Sequence, residues 1–112
     1  MPKPVRVVYA ITHNATGKVY VGITGNLKTR YQKHINDLRR GAHSVRDLQQ
    51  DFDRYGEDFT LTVLEELDTW YASDLEHEWM EKLRSRDRRY GYNYRDPTAG
   101  KGIKKSVYNA IR

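Results

Sequence analysis

Two short runs of alternating apolar residues open the chain. Residues 5–11 ("VRVVYAI") and 19–24 ("VYVGIT") are rich in Val, Ile and Tyr, and the Asn, Thr and Gly between them predict a β-hairpin with a long loop. Alternation puts Val7, Tyr9 and Ile11 on one face of the first strand, and Tyr20, Gly22 and Thr24 on one face of the second. A glycine inside a strand weakens it and marks a place where a backbone or a ligand comes close. Residues 58–67 ("DFTLTVLEEL") set Phe59, Leu61 and Val63 against Thr60 and Thr62, a third strand with one buried face.

Between the second and third strands the period changes to that of helices. In "LKTRYQKHINDLRR", Asn26 is the expected N-cap and Gly41 the stop, with an apolar stripe of Leu27, Tyr31, Ile35 and Leu38. At about 100° per residue His34 falls within that stripe and Arg30 on its edge. A second helix is expected from Ser44, with Asp47 completing a capping box, Val45, Leu48, Phe52 and Tyr55 facing the core, and Gly56 ending it. A third is expected from about Thr69 to Arg84, with an apolar arc of Ala72, Leu75, Trp79 and Leu83. "RRYGYNY" reads as a short strand or extended segment, "RDPTAGKG" as a linker, and "IKKSVYNAIR" as a basic amphipathic helix or the start of something longer.

Length and composition narrow the class. The 112 residues suit one domain with one modest core, and 38% hydrophobic residues with nine Tyr and two Trp describe a globular chain. Twenty Lys and Arg against 15 Asp and Glu give a net charge of +5, which suits an anionic partner such as nucleic acid. The absence of cysteine excludes disulfides, thiolate catalysis and Cys-ligated zinc. No run is long enough for a signal peptide or a membrane span, so a soluble, cytoplasmic protein is expected.

Four polar residues then stand out. Glu76 projects into the apolar arc of the third helix between Leu83 and Met80, whereas Glu78 and Glu81 fall on the solvent side. A carboxylate facing a core is costly unless it is paired, protonated or bound to a cation. Two readings follow: a salt bridge to a neighbouring Arg, or a hard-metal ligand of the kind Mg²⁺ takes together with phosphate and water. His34 reads as a satisfied core histidine or, with Arg30 one turn before it, as half of a phosphate-gripping pair over the hairpin. His43, in "GAHS" ahead of a helix start, reads as an exposed loop residue or as a phosphate contact. His13 and His77 are expected at the surface, and Tyr31, Tyr55 and Tyr71 in the core or sheet.

Taken in order, these pieces resemble the GIY-YIG nucleases, and specifically the catalytic domains of phage intron-encoded homing endonucleases. "VVY" (Val7 to Tyr9) stands for the G-I-Y strand and "YVG" (Tyr20 to Gly22) for the Y-I-G strand. "RYQKH" supplies Arg30 and His34, "GAHS" His43, "EHEW" Glu76 and "GYN" Asn93, so the resemblance runs from about residue 7 to 96. The clear departure is Val7 in place of the first glycine, which predicts altered local packing rather than lost activity.

The resemblance implies an α+β fold: a small three-stranded antiparallel sheet flanked by helices, occupying residues 1–96, with residues 97–112 as a basic tail. It implies a DNA endonuclease leaving 5′-phosphate and 3′-hydroxyl ends, in a phage or bacterial setting, with one Mg²⁺ or Mn²⁺ per active site held by Glu76. Arg30 would stabilise charge on the phosphoryl group, and Tyr9 and Tyr20 would position or deprotonate the attacking water, favoured as phenolates by the metal and Arg30. His34 and His43 would assist proton transfer or contact phosphate, and Asn93 would brace the site. Gly22, Lys28 and Lys33, with Lys101, Lys104 and Lys105 of the tail, are the expected contacts to double-stranded DNA. Homing relatives carry a linker and a separate DNA-binding region after this domain, so the chain reads as an excised catalytic domain or a compact free-standing enzyme. The competing readings are a restriction or repair nuclease, a non-catalytic DNA-binding or regulatory module on the same fold, and a basic scaffold for RNA or protein.

Overall fold

The structure is a computed structural model, and it describes residues 5–68 and 73–94. Its elements run β1 (Arg6–His13), β2 (Val19–Thr24), α1 (Leu27–Arg39), α2 (Arg46–Tyr55), β3 (Phe59–Leu67) and α3 (Ser73–Leu83). The three strands form one antiparallel sheet in the order β2-β1-β3, with β1 central. The expected fold is therefore observed. The tail from residue 97, with Lys101, Lys104 and Lys105, lies outside the described residues, as do Ala72 and Tyr71.

Alternation along β1 divides the core in two. Val8 and Val21 turn to one face, where Leu67 joins them under Leu75, Trp79, Met80 and Leu83 of α3 and its C-terminal end. On the other face Ile35 and Leu38 of α1, Leu48 of α2 and Tyr92 form a second cluster, against which Tyr20, Tyr31 and Phe59 pack. Tyr9 and Ile11 of β1 share the face of Tyr20 and Gly22, their direct partners across the sheet being Gly22 and Tyr20 respectively.

β3 does not keep the single alternation expected of it. Tyr9 pairs with Val63 but Val8 pairs with Glu65, so Leu64 is an extra residue and the strand bulges there. One inserted residue flips every later side chain to the opposite face. Glu65 and Leu67 consequently turn toward α3, where Trp79 Nε1 donates to Glu65 Oε1 at 2.8 Å. Val63, expected in the buried row, is 45% exposed and lies outside the cluster formed with α1 and α2.

Helix ends show two further differences. Asn26 caps α1 as expected, its side chain accepting from Thr29 N. The expected capping box at Ser44 does not form: α2 starts at Arg46 with Val45 at the cap position and no side-chain bond there. Its C-terminal Tyr55 is half exposed rather than buried, sitting at the end of the helix beyond the cluster.

Candidate active site

The site grows from Tyr9. Central position in the sheet buries it completely, and its ring crosses directly over Gly22 of the neighbouring strand. A Cβ built on Gly22 would stand 2.4 Å from Tyr9 Oη, closer than real Cβ atoms approach anything. The close approach expected at this glycine is thus made by a phenol of the chain itself. Tyr20 lies 6.4 Å from Tyr9 between ring centroids, and the His34 ring is edge-on to Tyr20 at 5.2 Å.

From Tyr9 a row of hydrogen bonds leads across α1 to the loop before α2. Tyr9 Oη and His34 Nε2 are 3.0 Å apart, and His34 Nδ1 and His43 Nε2 are 2.8 Å apart. The far nitrogen of His43, Nδ1, accepts from the backbone N–H of Val45 at 3.0 Å. That last bond assigns all the others. With Nδ1 an acceptor, neutral His43 carries its proton on Nε2 and donates it to His34 Nδ1. His34 must then hold its own proton on Nε2 and donate to Tyr9 Oη. The phenolic proton of Tyr9 is left pointing away from His34, into the site.

Electrostatics keep both imidazoles neutral. Burial first, then His43 and Arg30, push His34 down to about 4 from an ordinary 6.5, and burial also lowers His43. Burial raises Tyr9, with Tyr20 adding to the rise, while the Arg30 guanidinium opposes it by charge and by a side-chain hydrogen bond. Tyr20 is raised by burial and by Glu76, again against Arg30. The phenols therefore rest as neutral acids here, and Arg30 is the one of these neighbours that pulls them toward phenolate.

Glu76 approaches from α3, a helix that packs on β2. Its carboxyl is half-buried and raised by burial, while His77, Arg6 and Arg30 pull it down. Its charge is felt by both Tyr20 and Tyr9, so the two phenols, Arg30 and Glu76 share one electrostatic site. Among the described residues no three His, Cys, Asp or Glu side chains gather as a metal cluster. A half-buried carboxylate beside an arginine and a phenol suits a hard divalent ion that takes one protein ligand and fills the rest of its shell from other oxygens.

Asn93 acts on the backbone. Its Oδ1 accepts from Val21 N at 2.7 Å and its Nδ2 donates to Val21 O at 2.9 Å, holding the outer edge of β2 between Tyr20 and Gly22. Around it the "RRYGYNY" segment runs along that same edge, with bonds between Val19 and both Tyr90 and Tyr92. Gln49 is a residue the sequence did not single out. It accepts from His43 N and donates to Leu38 O, tying the His43 loop to α1. Spacing offers no sign of it, since the contact depends on how α1 and α2 meet.

His13 corrects a further expectation. It is fully buried, not at the surface, with Nδ1 accepting from Ala15 N at 3.3 Å and Nε2 donating to Gly56 O at 3.1 Å. Its ring stands edge-on to Phe59. His77 is exposed, as expected. Lys28 and Lys33 line a shallow groove on the outer side of α1, and Lys33 is tied to Asp37 at 2.9 Å.

A family model described as the GIY-YIG catalytic domain matches residues 6–93. Intron-associated endonuclease 1 of Enterobacteria phage T4 is 36% identical over 97 residues, which cover 83% of this chain and 38% of that protein. The chain thus spans well under half the length of that relative. The solved catalytic domain of homing endonuclease I-TevI superposes with a TM-score of 0.70 at 34% identity, covering 81% of this chain and 99% of that one. A mutant form of the catalytic domain of intron endonuclease I-TevI gives a TM-score of 0.69 at 34% identity, with 79% and 91% covered.

Proposed function

The chain belongs to the GIY-YIG family, and from that premise we propose that it is a homing-endonuclease-like DNA endonuclease that hydrolyses phosphodiesters to 5′-phosphate and 3′-hydroxyl ends. Members of the family generally depend on a divalent metal, and we assign the ligand here to Glu76, with one Mg²⁺ or Mn²⁺ per site. The observation that carries this reading is the directed row from Val45 N–H through His43 and His34 to Tyr9 Oη, ending beside Arg30, Tyr20 and Glu76.

Each residue has a task that its geometry supports. Tyr9 receives a hydrogen bond from His34, so its own proton faces the site; once that proton has passed to solvent, the phenolate can orient the attacking water and take its proton, becoming the neutral phenol again. Before that transfer His34 stabilises the phenolate by donation, without having to change charge itself. Tyr20, half-buried and coupled to Glu76, lies on the metal's side of the pair. Arg30 would meet the charge that grows on the phosphoryl oxygens. When bound at Glu76, the metal would offset charge on the scissile phosphate. Asn93 keeps β2 in register under the two phenols.

In this reading residues 1–96 are the catalytic unit, and 97–112 a basic arm whose Lys101, Lys104 and Lys105 join Lys28 and Lys33 in contacting double-stranded DNA. Phosphate contacts then dominate affinity, so binding is weak, largely independent of sequence and steeply salt-dependent. A separate DNA-binding region would supply target choice. Incubation of supercoiled plasmid with the chain, with magnesium and with chelator, tests the proposal. Nicked or linear product in magnesium alone is expected, whereas DNA binding without cleavage would identify a non-catalytic module.

A further inference from the structure

Beyond the end of α3 lies a charged surface with no part in the chemistry above. From Arg84 to Tyr90 the chain carries four arginines against one aspartate. Arg84 and Arg89 both lie against the same residue: their guanidinium carbons are 5.2 and 5.4 Å from the ring centre of Tyr90, which is itself 43% exposed. Arg86 is exposed between them, and Arg89, held by Asp87 at 2.9 Å, keeps 77% of its side chain in solvent.

Two details mark this arrangement. Arg84 closes α3 in the left-handed conformation, φ +58°, where glycine is the usual residue. A long charged side chain is thus retained at a position where the backbone would prefer none, as happens where a side chain has a use. The patch is also continuous with the site. Tyr90 and Tyr92 bind Val19, and Asn93 binds Val21, two residues along β2 and so about 7 Å away.

We infer that Arg84, Arg86 and Arg89, on their Tyr90 platform, form a second phosphate-contacting surface that grips the DNA backbone beside the scissile phosphate. The inference rests on the nuclease reading of the Tyr9 site. A duplex carries one charge per about 1.7 Å of its axis, so a strand laid over Tyr9 and Tyr20 continues its charge past the β2 edge and across these arginines. An acidic protein would have no reason to follow that line.

Fluorescence anisotropy of a short labelled duplex, titrated with KCl in chelator, tests this on the full chain. The variant Arg84→Gln/Arg86→Gln/Arg89→Gln should bind at least about tenfold more weakly, and its log–log salt slope should be shallower by about 2–3, near one for each lost contact. Arg84→Gly alone should weaken binding while its melting temperature stays level or rises, because it relieves the left-handed arginine; a merely structural arginine would leave binding unchanged. Affinity of the triple variant within twofold of the parent, with an unchanged slope, would overturn the patch. A parent chain that binds duplex but never cuts it in magnesium would overturn the nuclease reading and leave the patch standing. A parent that binds no duplex would overturn both.

Discussion

Two buried histidines, His13 and His34, sit on the same side of the sheet and use both ring nitrogens, yet they do opposite work. His13 spends both on backbone, Ala15 N–H and Gly56 carbonyl, and joins the hairpin turn to the end of α2. His34 spends both on side chains, His43 and Tyr9, and the second of these leads to the electrostatic site of Arg30, Tyr20 and Glu76. Both are buried and both are satisfied; the identity of the partners separates a staple from a working group. A histidine tied to backbone fixes a fold, whereas one tied into a directed row of side chains can hand its donor to a reacting atom.

Replacing the two residues should break the comparison cleanly. His34→Leu should cut magnesium-dependent cleavage by about 100-fold or more while the chain stays folded, since it removes the donor to Tyr9. His13→Ala should instead cost about 3 kcal/mol or more in a denaturant melt, through the cavity and the stranded Gly56 carbonyl, with cleavage per folded molecule retained. Equal losses of activity and stability in both variants would erase the distinction.

Gly22→Ala sharpens it from the phenol's side. The added methyl collides with Tyr9 Oη and must displace the ring. A shift of about 1 Å at a reacting group costs about 100-fold in rate, so single-turnover cleavage should fall by that order while secondary structure by circular dichroism is kept. His43→Ala should do less, about 10- to 100-fold, because it removes the group that sets the tautomer of His34 and not the donor itself.

Acid should act on stability in the same place. His34 titrates near 4 in the folded chain and near 6.5 when free of it, so between those values the unfolded chain binds more protons. The stability present above about 6.5 is therefore lost as the pH falls toward 4. Melting temperature should drop through that window, and drop less in His34→Leu.

Local patterns carried much of this to the surface of the sequence. The hairpin, the Asn26 cap, the α1 stripe and the strand glycine follow from spacing and turn chemistry between near neighbours. What escaped depends on contacts distant in the chain. The bulge at Leu64 is set by what α3 needs from Glu65 and Leu67, and no residue of β3 announces it. His13 looks exposed beside the polar hairpin loop until Gly56 and Phe59, over 40 residues on, close over it. The row from Tyr9 to Val45 N–H was visible only as separate residue types; its direction comes from one backbone bond.

Glu76 offers the most direct test, because the nuclease reading requires it to hold a metal and the alternative makes it half of a buried ion pair. Magnesium-dependent plasmid cleavage and the melting temperature of Glu76→Ala are to be measured together. The account predicts that cleavage disappears and that melting is unchanged or slightly higher, as the desolvated carboxylate is removed. A chain destabilised by about 3–5 kcal/mol that still cuts DNA would contradict it, and would place Glu76 in a structural ion pair.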